Sequence, residues 1–164
     1  MAMRDFETGA DPLEVIEWVA EQGEMTTERV DRAELHVNVN GVWRDIAVWF
    51  AWREDLRVLQ MGAPLELKVP PALEPEICQL LAMVNERVWI GHFDLWSEDK
   101  AIVYRNGLVL SQMADLDEGQ AETLLKGASE AFERFYPAFN YVIWGGKSPA
   151  EALAACLFDV VGSA

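Results

Sequence analysis

The string Gly146-Lys147-Ser148 is where this chain comes nearest to a phosphate-binding motif, and its spacing decides against that chemistry. A phosphate loop needs a further glycine five residues ahead of the one before its lysine, so that successive backbone N–H groups turn inward around the anion. Position 141 is Tyr141, and Pro149 removes an N–H where the motif would supply one. Ser148-Pro149-Ala150-Glu151 reads instead as a helix start, with serine and glutamate exchanging bonds across the first turn and proline at its first position. Asp115-Leu116-Asp117-Glu118-Gly119 carries the acids of a calcium loop in the wrong frame. Loop position six is Gln120 where glycine is required, and position twelve is Lys126 where a bidentate acid is required. A strand-to-helix connection capped at its N-terminus accounts for the same letters.

His36 and His92 are the only histidines, and no short ligand spacing joins either to a second metal ligand. With Asn40-Gly41 as a two-residue turn, His36 falls opposite Asp45 in an exposed cross-strand pair. His92, beside Gly91, is expected to be partly buried. Cys78 and Cys156, the only cysteines, lie in apolar helical patterns outside any CxxC spacing, which predicts reduced core thiols. No Ser, Thr or Cys can be matched to a histidine base. Glu98-Asp99 is a carboxylate pair in a solvated turn, and in a chain with 28 acids such a pair carries no weight. These residues predict no catalytic, cofactor-binding or metal-binding constellation.

The elements that would position any site follow from the hydrophobic spacing. Residues 1–10 are polar and are expected to be a flexible N-terminus. Asp11 as N-cap, Pro12, and Leu13, Ile16, Val19 and Ala20 at helical spacing predict a first helix stopped by Gly23. From Glu34 the period drops to two. Leu35, Val37 and Val39 form one strand and Val42 to Arg53 its return, with Leu56 to Leu67 as the third strand of a meander. Ile77, Leu80, Leu81, Val84 and Val88 predict a helix over 74–88, its Asn85, Glu86 and Arg87 turned to solvent. Gly91 to Trp96 and Ala101 to Leu110 predict two more strands. A helix begins at Asp117 and continues, kinked at Pro137, to Gly145-Gly146, and a final helix follows Ser148.

The predicted class is α+β: a single antiparallel sheet of about five strands in the order αβββαββα(α), with helices mainly on one face. Residues 11–164 are expected to form a single domain.

Composition narrows the partners. Thirteen bases against 28 acids give a formal charge of −15, a field that repels nucleic-acid phosphates and anionic lipid headgroups. The longest apolar run, Ile46 to Trp52, is far short of the roughly 20 residues of a membrane helix. The first residues lack a secretory signal. These features predict a cytoplasmic protein that binds neither nucleic acid nor membrane. Hydrophobic residues make up 51%, with seven Trp, seven Phe and three Tyr, which is ample for a core.

Particular strings add a resemblance. Asn85-Glu86-Arg87-Val88-Trp89-Ile90-Gly91-His92-Phe93, Glu133-Arg134-Phe135-Tyr136-Pro137-Ala138-Phe139 and Trp144-Gly145-Gly146-Lys147-Ser148-Pro149 resemble the YbjN-like family of bacterial sensory transduction regulators. The resemblance spans most of the chain. It implies a fold like that of type III secretion chaperones, often dimeric, with no established enzymatic activity and no assigned binding residues.

The functional expectation is therefore a non-enzymatic interaction module, chaperone-like or a regulatory adaptor, acting as a homodimer or on another protein and needing no cofactor. Its expected surface is aromatic: Trp43 and Trp49 on the strand face opposite Ile46, Val48, Phe50 and Trp52, with Tyr136, Phe139 and Trp144 near a helix end. The rival readings are a small-molecule sensor with Trp43, Trp49 and Phe139 lining an apolar pocket, and a hydrolase using a carboxylate pair.

Overall fold

The computed structural model describes residues 9–42 and 44–162, with side chains up to Phe158. Within that range the protein is α+β, with four helices and a single open antiparallel sheet of six strands. Contacts divide it into two compact units. One comprises the described residues up to Gly62 with Asn106–Lys126, the other Ala63–Arg105 with the described residues from Gly127 onward.

In the first unit, α1 (Pro12–Gln22) starts where Asp11, in extended backbone, accepts a hydrogen bond from the Leu13 N–H at 3.0 Å. It ends at Gly23, and Leu13, Val15, Ile16 and Ala20 form its buried stripe. Arg29 pairs with the Asp11 carboxylate, so the N-cap is also tied to the strand that follows.

That strand, β1 (Thr26–Arg29), precedes β2 (Glu34–Val39), β3 (Ile46–Arg53) and β4 (Val58–Lys68). Burial alternates along β2 and β3. Leu35, Val37, Val39, Ile46, Val48, Phe50 and Trp52 face the core, where α1 packs on β2. The expected division of β3 into a Trp52 face and a Trp49 face is what the alternation produces.

The β2–β3 turn corrects the two-residue hairpin. Val39 pairs with Ile46, so the connection is longer than two residues, and His36 lies opposite Trp49 rather than Asp45. The loop is tight at Gly41, where a Cβ would lie 2.1 Å from the Arg44 carbonyl oxygen. Asn-Gly is consistent with many turns, and here the longer loop prevails.

The second unit contains α2 (Glu74–Asn85), β5 (His92–Trp96) and α4 (Pro149–Gly162). Three longer elements pass from one unit into the other: β4, β6 (Ala101–Val109) and α3 (Glu118–Ile143). The strand order is β1-β2-β3-β4-β6-β5. Phe93 on β5 centres the second core. Its ring meets Tyr104 edge-on at 5.4 Å, Phe135 edge-on at 6.0 Å and Phe139, tilted, at 5.4 Å. Complete burial of a phenylalanine is worth roughly 1.5–3 kcal/mol, and the edge-to-face contacts add to that.

α3 runs unbroken through Pro137, as its apolar spacing requires. Its start is a reciprocal cap: Asp117 accepts from the Gln120 N–H at 2.7 Å, and Gln120 accepts from the Asp117 N–H at 3.0 Å. Ser148 and Glu151 repeat the exchange at the start of α4.

Candidate functional site

The expected aromatic surface resolves into residues with different environments. Trp43 lies outside the described residues. Trp49 is half-buried on the outer face of β3, and its indole lies over Gly62, where a Cβ would come within 2.3 Å of the ring. A glycine there leaves the room that the ring occupies. Tyr136, also half-buried, stacks on Phe132 at 5.0 Å with planes 15° apart. Phe139 has no exposed surface and packs on Phe93, so it belongs to the core of its own chain and not to the surface. The spacing that made it a surface candidate also continues the inner stripe of α3.

Trp144 is 77% exposed, one residue past the end of α3, with its N–H donating to the Asn140 carbonyl at 2.9 Å. Beyond it the Lys147 ammonium sits 5.8 Å from the Tyr141 ring centre and the Lys147 N–H bonds to the Tyr141 carbonyl. These contacts hold the short α3–α4 connection in place.

Sequence reading missed two exposed aromatic side chains. Phe158 on α4 is 77% exposed, and Trp89 is 98% exposed. Trp89 was hidden by the expectation that helix 74–88 continues beneath it; α2 ends instead at Asn85. The reason is that Asn85 does not face solvent. Its side-chain nitrogen donates to the Phe93 carbonyl at 3.0 Å, and its oxygen accepts from the Phe93 N–H at 2.8 Å. Those two bonds close the segment 86–91 into a loop.

Gly91 supplies the other turn, with φ +75, and a Cβ there would press on the Arg105 carbonyl oxygen and the Tyr104 hydroxyl, each at 2.6 Å. Gly91 therefore shapes the entry to β5, six residues after the helix has ended. The Tyr104 hydroxyl donates to the Ile90 carbonyl at 2.6 Å, and burial pushes its pKa up to about 12. The phenol is thus held neutral, which suits its role as a donor.

The remaining polar chemistry is local. Glu151 is held below the ordinary carboxylate range by the Ser148 backbone and hydroxyl and by nearby Lys147. Asp55 is held low by Arg53, which grips it with two hydrogen bonds of 2.9 and 3.0 Å. Both are exposed helix-end and turn contacts. His36 is bonded to Glu34 at 2.6 Å, not to Asp45. His92 is exposed rather than partly buried, because it occupies the outward position next to Phe93. Cys78 corrects the core-thiol expectation: it is exposed on α2, whereas Cys156 is buried and donates from Sγ to the Arg134 carbonyl at 2.7 Å. Among the described residues no three His, Cys, Asp or Glu side chains are placed to hold a metal ion, and no helix is long and apolar enough to cross a membrane.

Fold and surface together define a class: an α+β protein with one open antiparallel sheet, paired surface charges and exposed indoles. Residues 12–140 match the YbjN family model, described as "Putative bacterial sensory transduction regulator", and the chain belongs to that family. It is similar in fold to the crystal structure of YbjN, "a putative transcription regulator from E. coli". That similarity has a TM-score of 0.53 at 14% identity, covering 77% of this chain and 89% of the other. No curated protein matches the chain. A family of regulators supports a regulatory role.

Proposed function

We propose that this protein is a non-enzymatic regulatory adaptor, chaperone-like in that it binds segments of other proteins, and that it works in the bacterial cytoplasm as a homodimer with residues 11–164 as its working domain. The observation that carries this reading is the exposure of Trp89 and Trp144, 98% and 77%, on segments held by backbone and side-chain hydrogen bonds. Indole in water forgoes a large hydrophobic gain, and tryptophan is among the residues most enriched at binding hot spots. The charge of −15 and the family's description as a regulator point the same way.

The pocket reading draws no support from its own residues. Phe139 is buried in the core and the Trp49 ring packs against Gly62.

The test is site-specific photo-crosslinking in living bacteria from positions 89 and 144, with the exposed α3 position Glu122 as reference. Discrete protein adducts from 89 or 144, absent from 122, support the adaptor reading. An adduct-free pattern at both positions refutes it.

A further inference from the structure

We propose that the loop 86–91 is a preformed docking tip on which Trp89 anchors a positively charged protein segment, an inference that rests on the adaptor reading and names its contact residue and partner chemistry. The loop is fixed by three features. The Asn85 side chain bridges both backbone polar groups of Phe93. The Tyr104 hydroxyl holds the Ile90 carbonyl. Gly91 takes the left-handed turn that Tyr104 and the Arg105 backbone would deny to any larger residue.

A flexible loop would let an indole fold back onto the nearest apolar surface. This one is held with Trp89 98% in water and Ile90 beside it 46% exposed. Binding to a fixed anchor avoids the ordering cost that weakens flexible interfaces.

Charge selects the partner. Near the loop, Arg87 bonds the Met83 carbonyl at 2.7 Å and pairs with Glu86 at 3.7 Å, Lys100 pairs with Glu74 at 3.2 Å and Arg105 with Asp94 at 3.3 Å, so these charges offset one another and the net charge of the chain sets the field. The chain as a whole carries 28 acids against 13 bases. A field of that sign attracts a Lys- or Arg-rich segment and repels nucleic acid and anionic membrane.

The experiment selects binders to the full chain from a random peptide display library and measures the affinity of the enriched peptides. The expected peptides are net positive with an apolar residue. They lose at least about ten-fold in affinity to Trp89→Ala and more to Trp89→Lys, which adds charge of the wrong sign, and change less than about two-fold with Trp144→Ala. Added salt weakens them.

Peptides that bind Trp89→Ala as well as wild type overturn the docking tip while leaving the adaptor reading intact. Enrichment of neutral or acidic peptides overturns the partner chemistry. A library that yields no binder overturns both readings. Trp89-dependent sedimentation with phosphatidylcholine vesicles would show a lipid-interface role and overturn the protein-docking claim.

Discussion

Asn85 and Phe93 are joined by two hydrogen bonds, one from the side-chain nitrogen at 3.0 Å and one to the side-chain oxygen at 2.8 Å, so that a single amide stands in for a missing strand partner. This pairing ends α2 and starts β5. Replacing Asn85 with alanine leaves both Phe93 backbone groups unpaired in a partly buried setting, at a cost of about 1–3 kcal/mol. For a chain of this size that lowers Tm by roughly 2–4 °C per kcal/mol, readable by calorimetry. A change within error would mean that the loop does not depend on the amide.

Two glycines with positive φ separate backbone strain from crowding. Gly91 has φ +75 and no room for a Cβ; Gly146 has φ +64 and nothing within 4 Å. Gly146→Ala is expected to cost about 1 kcal/mol from the left-handed backbone alone. Gly91→Ala is expected to cost about 2–4 kcal/mol, because overpacking against Tyr104 and Arg105 is added. Denaturant midpoints of the two variants check the ranking.

Tyr104 makes stability fall in alkali. Its proton is held more tightly in the folded chain, with a pKa of about 12 against an ordinary 10.0, so the contribution is complete below pH 10 and is lost as pH rises toward 12. Chemical denaturation across that window should show the loss. Tyr104→Phe should abolish this component while costing about 1 kcal/mol at neutral pH for the bond to Ile90.

The indole of Trp49 resting on Gly62 predicts a coupled pair. Gly62→Ala pushes a methyl into a ring 2.3 Å away and should cost about 1–3 kcal/mol. In a Trp49→Ala background the same substitution should cost far less, and the double-mutant cycle measures the difference. Equal costs in both backgrounds would place the ring elsewhere.

Much of the fold was legible because caps and apolar periods are local signals. Asp117 with Gln120 and Ser148 with Glu151 announce α3 and α4, and the alternation Ile46, Val48, Phe50, Trp52 fixes which side of β3 is core. β1 was not legible: Thr26-Thr27-Glu28-Arg29 has no apolar alternation, being an edge strand paired only to β2. The end of α2 was not legible either, since Val88 continues the helical spacing and only the long-range bonds of Asn85 to Phe93 break it. The surface was read least well. Phe139 and Cys78 exchange their expected places because one residue's step around a helix decides between core and water. Trp89 carries no local signal of its exposure, which depends on a loop closed by residues on either side of it.

Hydroxyl-radical footprinting of Trp89 and Trp144, in dilute purified protein and in intact cells, tests the central claim most directly. Met113, 94% exposed, serves as the internal reference. The adaptor account predicts that both indoles are oxidised readily in isolation and at least several-fold less in cells, relative to Met113. Equal oxidation in the two settings would mean that nothing covers them where the protein works, and would contradict the account.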